Sequence, residues 1–173
     1  MISKILTTPE ELHKAARLRH EVFVEKLQWV TGNNERLERD RYDEHSVHIG
    51  VFDGSKLVGY CRFTPWGKPW MLTGEFDWYK GPIEADSVEF SRLTTDPTAT
   101  NQRAILAQLF YETSLHVTTA WDYAETTHRR IPVYRRMGLV FEELDRHLYD
   151  EWVVVIKVDR LATPWRTIKE RYT

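Results

Sequence analysis

The chain of 173 residues has a single cysteine, no long apolar run and almost no net charge. Cys61 has no second cysteine with which to form a disulfide, and it lies within a strand-like run, which is typical of a small buried residue in a reducing compartment. No run of about 18 apolar residues occurs, so no segment reads as a membrane-spanning helix. The formal net charge of −2 provides no global field that would attract a polyanion. We therefore expect a cytoplasmic protein with no membrane insertion and no nucleic-acid partner.

Motifs for metal, nucleotide and hydrolytic chemistry are also missing. His45 and His48 have no cysteine or third ligand near them in the sequence, so they do not predict a metal site. Ser91 and Ser114 belong to no recognisable catalytic triad, and the chain has no Gly-rich phosphate-binding motif. We therefore expect neither a metal nor a cofactor.

The composition is that of an ordinary globular protein with a large share of aromatic residues. Hydrophobic residues make up 42% of the chain, charged residues 29% and aromatic residues 13%. A chain of this length buries roughly 70% of the surface that its unfolded form exposes, which is sufficient for one sizeable core. We expect a single α/β domain that spans residues 1–173.

The first predicted helix starts at a strong signal and carries an unusual arginine. Thr8 precedes Pro9, and Glu11 follows Thr8 by three residues, which is the pattern of a capping box with proline at the first helical position. Apolar residues recur at helical spacing up to about Lys26, and Arg19 falls on their face. A solvated arginine lies more often on the opposite face, so we interpret Arg19 as an inward residue that binds a partner.

The segment at residues 31–46 is polar, rich in charge and without a sustained apolar period. Trp29 and Tyr42 provide apolar anchors at its two ends. Loops of this length without regular structure are usually functional lids or disordered segments. We interpret this segment as a mobile lid that orders around a ligand.

The rest of the chain alternates strands and helices. Asp53-Gly54 is a hairpin signal between two strands, and the apolar stripe Ile105, Leu106, Leu109, Phe110 and Leu115 predicts a second long helix. The predicted elements are strands at 48–52, 56–64, 87–95, 121–125, 140–145 and 152–158, and helices at 101–119 and at 132–137, the latter ended by Gly138.

Four short motifs occur in order along the first hundred residues. They are Arg19, Phe23 and Trp29, then Glu38-Arg39-Asp40-Arg41-Tyr42-Asp43, then Gly59-Tyr60-Cys61-Arg62-Phe63, and finally Glu89-Phe90-Ser91-Arg92-Leu93-Thr94-Thr95-Asp96. Each is weak alone, but together they resemble the acyl-homoserine-lactone synthases, also called the autoinducer synthase family. The resemblance implies the fold of the Gcn5-related N-acyltransferases, a three-layer α/β fold with a mixed, mostly antiparallel twisted sheet flanked by helices.

The resemblance also implies a reaction between S-adenosylmethionine and an acyl thioester on acyl carrier protein or coenzyme A. The methionine amine attacks the thioester, and the methionine carboxylate then closes a lactone with loss of methylthioadenosine, which yields a quorum-sensing signal. By position, Glu38, Glu89 and Arg92 would be catalytic, with Glu38 as the candidate general base. A free α-amino group has a pKa of about 7.7 to 8.0, so strong tuning of a base is not required.

Substrate binding falls, by the same resemblance, to a network of charged and aromatic residues. Carboxylates complement a sulfonium and an ammonium, an arginine can hold a carboxylate with two hydrogen bonds, and a tryptophan offers a cation–π face to the sulfonium. The sequence does not show which charged residue binds the sulfonium, the ammonium or the carboxylate. The two aromatic residues are also consistent with a role in the core. The implied substrate-binding residues are Arg19, Phe23, Trp29, Asp40, Asp43 and Arg62.

Two departures from the family pattern concern the acyl donor. Phe63-Thr64-Pro65-Trp66 replaces a Leu-Leu-Pro-Thr-like run, which leaves the shape of the neighbouring cleft open. The run from Thr95 to Arg103 contains no glycine, whereas coenzyme A acetyltransferases of this fold cradle the pyrophosphate with a Gly-rich loop. This absence favours a carrier-protein donor.

An acidic carrier protein would dock on a local basic cluster. The candidate docking residues are Arg129, Arg130, Arg135 and Arg136. The alternative is that these arginines form a solvated helix surface without a partner.

Two other functions stay open. An N-acyl amino acid synthase of the same fold would acylate its substrate without forming a lactone. A non-catalytic module would bind an acyl carrier protein or adenosylmethionine without turnover.

Overall fold

The structure is a computed structural model that describes residues 1–74, 79–148 and 151–173. Its strands are β1 Ile2–Ile5, β2 Val47–Asp53, β3 Lys56–Pro65, β4 Ser87–Thr95, β5 Trp121–Thr127, β6 Phe141–Leu148 and β7 Trp152–Asp159. They form one sheet in the spatial order β1-β2-β3-β4-β5-β7-β6. Neighbouring strands are antiparallel, except that β4 and β5 are parallel.

Helices lie on both faces of the sheet: α1 Pro9–Arg19, α2 Gln102–His116, α3 Ile131–Met137 and α4 Trp165–Tyr172. The main core forms where α2, α3 and α4 pack on one face. On the other face, Ala15 and Leu18 of α1 pack against Tyr60 of β3. This mixed sheet between helical layers agrees with the predicted fold class. Within the described residues, no helix has the length and apolar character needed to cross a bilayer.

The predicted start of α1 is confirmed. The Thr8 hydroxyl accepts a hydrogen bond from the Glu11 amide at 3.3 Å, and the Glu11 carboxylate accepts one from the Thr8 amide at 3.2 Å. The helix reaches Lys26 as predicted, but it changes character after Arg19, since His20–Lys26 is π-helical. A π-helical turn is wider than an α-helical one and occurs frequently at functional sites.

Most other predicted elements are also confirmed. Gly54 takes a left-handed φ of +58° in the β2–β3 hairpin, and Gly138 ends α3 with a φ of +101°. The prediction for the second long helix is wrong at its end, because α2 stops at His116 and Leu115 is 55% exposed. Strand β1 and helix α4 are not among the predicted elements.

Side-chain alternation along the strands gives the sheet two different faces. Cys61 and Phe63 belong to the main core beneath α2. Arg62, Glu89 and Ser91 occupy alternate positions on the opposite side, which we call the charged face. Arg62 stands opposite Ser91 in the β3–β4 ladder, and its Nε donates to the Ser91 hydroxyl at 3.0 Å.

Strands β4 and β5 separate part-way along their length. Their pairing ends at Phe90 and Ala124, yet the strands continue to Thr95 and Thr127. β5 stays paired with β7, whereas β4 stays with β3 through a bulge near Arg92, which has a φ of +55°. That conformation is uncommon for any residue other than glycine. The separation leaves a gap in the sheet between its charged face and its main core.

Candidate active site

Six charged residues that are distant in the sequence meet on the charged face, and we call them the ionic cluster. The three arginines come from the end of α1, from β3 and from β4, whereas the three carboxylates come from the predicted lid. The sequence prediction included all six as site residues. The members are Arg19, Glu38, Asp40, Asp43, Arg62 and Arg92.

Arg19 lies at the centre of the ionic cluster and is 2% exposed, as its place on the apolar face of the helix predicted. Its Nε donates to Glu38, while its terminal nitrogens donate to Asp43 at 2.6 Å and to Asp40 at 3.3 Å. Arg62 is fully buried and donates to Asp40 at 2.5 and 2.9 Å and also to Asp43. Buried charges are tolerated when they are paired in this way.

Arg92 connects the ionic cluster to the aromatic residues of the site. One of its terminal nitrogens lies 3.0 Å from Glu38 and 3.0 Å from Asp40. Its guanidinium stacks over the Phe23 ring at 5.4 Å. Ion pairs with the two carboxylates and the contact with the Phe23 ring therefore fix the position of Arg92.

Ion pairing outweighs burial for both aspartates of the ionic cluster. Burial by itself would raise the pKa of Asp40, but the hydrogen bonds and charge of Arg62 and the charge of Arg92 hold that pKa below its usual range. Burial acts in the same direction on the pKa of Asp43, and Arg19 and Arg62 likewise hold it low. Both aspartates are therefore ionised near neutral pH. Asp40 faces three arginines and Asp43 faces two.

A cavity occupies the gap between β4 and β5 and reaches both faces of the sheet. On the charged face it is lined by Phe23, Trp29, Glu89 and Arg92, with the rings of Phe23 and Trp29 stacked at 6.3 Å. On the other face its lining is mostly apolar and includes Phe110, Tyr134, Leu139, Ile156, Val158 and Trp165. A polar wall and an apolar pocket thus share one space.

The remaining members of the ionic cluster lie behind the cavity wall. Within the described part of the chain, the lining does not include Arg19, Asp40, Asp43 or Arg62, which were predicted to bind substrate, nor the predicted base Glu38. These side chains form ion pairs with one another. The structure therefore brings the six predicted residues of the ionic cluster together, but of these six only Arg92 reaches the space where a ligand would fit.

Glu89 is a buried carboxylate whose oxygens are both held by backbone amides. It accepts hydrogen bonds from Met71 at 3.0 Å and from Leu72 at 2.7 Å. Burial nevertheless raises the pKa of Glu89, and these two bonds offset the effect only in part. The residue thereby fixes the chain that follows β3 against the charged face.

Glu125 is a cavity residue that sequence reasoning missed. It was placed at the end of a predicted strand without a role, although it follows Tyr123 by two residues and so shares a face with it. Its Oε1 is buried and has no hydrogen-bond partner among the described residues. Burial, and then the charge of Glu89, raise the pKa of Glu125 to about 7.

The predicted lid is divided into an exposed half and a packed half. Residues 31–36 are exposed, whereas Leu37, Glu38 and Tyr42 are buried. The Glu38 amide donates to the carbonyl of Ala16 at 3.0 Å, which attaches this half to α1. The part that carries the carboxylates is therefore integral to the site, and the mobility of the segment stays a prediction.

The predicted docking arginines gather where β5 leads into α3, at the edge of the cavity. Arg130 belongs to the cavity lining. Arg129 pairs with Glu151 at 3.4 Å, and Arg135 pairs with Glu143 at 2.7 Å. Arg136 is also exposed, at the end of α3. The basic cluster is thus a mixed surface in which, among the described residues, Arg129 and Arg135 have acidic partners.

Comparison with known proteins identifies the family. Residues 3–135 match the family model described as autoinducer synthase. The chain belongs to the autoinducer synthase family. The matched range contains the whole ionic cluster, Glu89 and Glu125, whereas β6, β7 and α4 lie beyond it.

Curated members of the autoinducer synthase family match shorter stretches. An acyl-homoserine-lactone synthase of Rhizobium radiobacter is 34% identical over 99 residues, which are 54% of this chain and 47% of that protein. An isovaleryl-homoserine lactone synthase of Bradyrhizobium diazoefficiens is 37% identical over 67 residues, which are 38% of this chain and 31% of that protein. The chain thus spans about half or less of the length of these relatives.

Solved structures of the family match nearly the whole chain. The CoA-dependent acyl-homoserine lactone synthase BjaI, solved with SAM and isopentyl-CoA, superposes with a TM-score of 0.78 at 24% identity over 95% of this chain and 83% of that one. The CoA-dependent synthase MesI superposes with a TM-score of 0.83 at 19% identity over 99% of this chain and 95% of that one. At these identities the likeness shows the fold, and it confirms the predicted acyltransferase-like architecture.

Proposed function

We propose that the protein is an acyl-homoserine-lactone synthase, which transfers an acyl group from a thioester to the amine of S-adenosylmethionine and then forms the lactone with release of methylthioadenosine. The main support is one cavity in which a charged wall meets an apolar pocket through the gap between β4 and β5. A reaction that joins a zwitterionic acceptor to an apolar acyl group needs these two surfaces side by side. Membership of the autoinducer synthase family supports the same reaction.

The apolar side of the cavity suits the acyl donor. Phe110, Tyr134 and Trp165 surround it with rings, and Ile156 and Val158 add aliphatic surface. Beyond the end of their parallel pairing, the facing backbone edges of β4 and β5 no longer bond to each other. Such edges can bind an extended, amide-containing arm in the manner of an added strand. The thioester would therefore enter along the gap, with its acyl tail in the apolar pocket.

The charged wall suits the acceptor. Phe23 and Trp29 present stacked rings that can face a sulfonium through cation–π attraction. The Nε of Arg92 is buried and has no hydrogen-bond partner among the described residues, so it can serve a substrate carboxylate. The acceptor amine would then lie at the gap, beside Glu89 and Glu125.

The ionic cluster supports this wall from behind. Both oxygens of Glu38 are engaged, one by Arg19 and the other by Arg92. Both oxygens are thus occupied by protein partners, and Glu38 is not part of the cavity lining in the described part of the chain. We therefore propose that Glu38, together with Asp40 and Asp43, positions Arg92, and that its predicted role as the base passes to another carboxylate.

Either class of acyl thioester is compatible with the cavity. The lack of glycine between Thr95 and Arg103 favours a carrier-protein donor, whereas BjaI and MesI are described as CoA-dependent. The arginines at the cavity edge can receive an acidic carrier or the phosphates of coenzyme A. The product would be a diffusible quorum-sensing signal made in the cytoplasm.

The test is incubation of the chain with S-adenosylmethionine and a panel of acyl-CoA and acyl-carrier-protein thioesters. We expect methylthioadenosine release and, by mass spectrometry, an acyl-homoserine lactone. Arg92→Ala should lose turnover while its folding, followed by circular dichroism, is retained. Lys14→Ala, on the exposed side of α1, should behave like wild type.

Other outcomes would assign the protein differently. An N-acylated free acid without methylthioadenosine would identify an N-acyl amino acid synthase, the activity named for FeeM, which superposes with a TM-score of 0.66 at 15% identity over 96% of this chain and 94% of that one. Binding of adenosylmethionine or carrier protein without turnover of any donor would identify a binding module. Either result would overturn the proposal.

A further inference from the structure

Glu125 and Glu89 stand on the same face of neighbouring strands. Glu89 pairs with Tyr123 in the parallel β4–β5 ladder, and Glu125 is two residues farther along β5. Because side chains two apart on a strand point to the same side, both carboxylates belong to the charged face. Glu125 lies one residue past Ala124, where the ladder ends, so its carboxylate stands where the gap opens.

The surroundings of Glu125 leave one of its oxygens without a partner. Oε1 is buried and makes no hydrogen bond to any described residue. The charged groups that influence it are Glu89 and Arg92, both on β4. On its other side, β7 places Val155 opposite it in register. A buried acceptor without a partner is costly to folding, which is why such atoms in native proteins call for an explanation.

The carboxylates near the cavity differ in their freedom to accept a proton. Glu89 uses both oxygens to accept backbone hydrogen bonds, and Glu38 uses both in ion pairs with arginines. Glu125 has a free oxygen, and burial and the charge of Glu89 place its pKa at about 7, the range suited to general-base catalysis at neutral pH. The free oxygen and the position at the gap set Glu125 apart from the other two.

We infer that Glu125 is a catalytic residue, the proton acceptor for the amine that attacks the acyl thioester. The inference rests on the proposed function, because it assumes an ammonium-bearing acceptor at the charged wall. It adds a base that the four family-like sequence motifs do not contain.

The proton and electron movements balance as follows. The acceptor ammonium gives one proton to the Glu125 carboxylate, and the freed lone pair forms the C–N bond at the thioester carbonyl. The C–S bond breaks with its electron pair on sulfur, and protonated Glu125 gives its proton to this thiolate to form the thiol. The restored carboxylate takes the second proton from nitrogen and releases it to water.

The decisive experiment compares wild type with Glu125→Gln, which keeps the size of the side chain but removes the proton acceptor. Acyl transfer is followed by thiol release under single-turnover conditions, with S-adenosylmethionine and the best acyl donor. We expect a rate lower by about 10²- to 10⁴-fold near pH 7, the usual contribution of a general base. Glu142→Gln makes the same change on β6, where Glu142 pairs with Lys157, and should match wild type.

The pH dependence separates a base from a structural residue. The deficit of Glu125→Gln should narrow above about pH 8, because the substrate amine is then already neutral in solution. Glu125→Ala should regain activity when formate or acetate is added to replace the missing carboxylate. A purely structural role would give a deficit that is independent of pH and insensitive to added carboxylate.

A melting experiment checks that the variant folds. The raised pKa means that the folded state binds a proton more tightly, so wild type loses stability as the pH rises from the ordinary glutamate pKa through about 7. Glu125→Gln avoids this loss and should melt at a higher temperature than wild type at pH 8, with little difference at pH 4.

The outcomes distinguish this inference from the proposed function. If wild type releases methylthioadenosine and Glu125→Gln does so at a similar rate at every pH, the role of Glu125 is overturned and the proposed function stands. A pH-independent deficit without rescue by formate or acetate also overturns it. If wild type turns over no donor, the proposed function fails, and the inference fails with it.

Discussion

At the scale of single residues, the site is organised around charges that satisfy one another. Arg19 and Arg62 are almost entirely buried, and their partners are carboxylates from a segment with little regular structure. Removing one member of a buried ion pair leaves an uncompensated charge, which costs more than the pair itself contributes. The ionic cluster therefore fixes the conformation of the predicted lid and of Arg92 at once.

Arg19→Met tests this arrangement, because methionine keeps most of the volume but removes the charge. We expect the free energy of unfolding to fall by about 3–5 kcal/mol, as is usual when one partner of a buried pair is removed. Adding Glu38→Gln should restore part of the loss, since it removes one of the carboxylates left unpaired. Urea unfolding followed by circular dichroism provides the measurement.

Lys14→Met is the matched control on the same helix. Lys14 pairs with Glu10 at 2.9 Å on the surface, and such exposed pairs contribute at most about 1 kcal/mol. If Arg19→Met cost no more than Lys14→Met, the ionic cluster would not stabilise the fold as described.

The sequence predicted the membership of the ionic cluster, but not its relation to the cavity. The sequence predicted that Arg19 points inward, because Arg19 occupies the apolar face of a helix. Whether it faces a ligand or other protein charges depends on where the carboxylates of residues 37–43 pack, and a segment without periodicity does not reveal that. Glu125 was missed because a single glutamate in a short strand gives no signal until its neighbour across the sheet is known.

At the scale of elements, close packing between β3 and α2 determines how the sheet meets its main helix. Gly59 lies beneath α2, and a Cβ added there would come 2.3 Å from the Cγ2 atom of Ile105. Ile105 is fully buried, so it has little room to move. The glycine is therefore required by the close approach of the helix.

Gly59→Ala should consequently lower the free energy of unfolding by about 1–3 kcal/mol through overpacking. The same substitution should cost clearly less in an Ile105→Ala background, where the clashing methyl is absent. Chemical denaturation of the four proteins of this double-mutant cycle measures the coupling. Equal costs in both backgrounds would show that the helix does not press on this position.

Elements with strong local signals were predictable, and weakly marked ones were not. The capping box of α1, the Gly54 turn and the Gly138 cap each follow from residue chemistry alone. By contrast, β1 has four residues at the edge of the sheet, and α4 has eight residues without a side-chain cap. The π-helical end of α1 has no sequence signature that distinguishes it from an α-helix.

At the scale of the whole molecule, the gap between β4 and β5 places two chemically different surfaces in one cavity. Phe110 of α2 closes the apolar side and contacts Phe90, Tyr134 and Trp165, with ring centroids 5.9–6.3 Å apart. Three aromatic contacts at one point limit the depth of this apolar side. Under the proposed function, this side of the cavity should therefore determine which acyl donors fit.

Phe110→Ala should shift the preference toward longer acyl thioesters. Each buried methylene contributes about 0.8 kcal/mol, so space for two more should raise the ratio of kcat/KM for long over short donors on the order of tenfold. Leu115→Ala, at an exposed position of the same helix, is the control and should leave the ratio unchanged. A ratio that is unchanged in Phe110→Ala would show that the acyl chain lies elsewhere. Because the ring also supports the core, circular dichroism should accompany the kinetics.

The buried thiol of Cys61 can report local opening of the fold between β3 and α2. Its thiol lies at the centre of the sheet, 3.7 Å from the hydroxyl of Thr113 on α2, and burial raises its pKa to about 12. An electrophilic thiol-labelling reagent can reach it only when the packing of α2 on β3 opens. Since the chain has no other cysteine, the labelling rate would time that opening event directly, with no engineered probe.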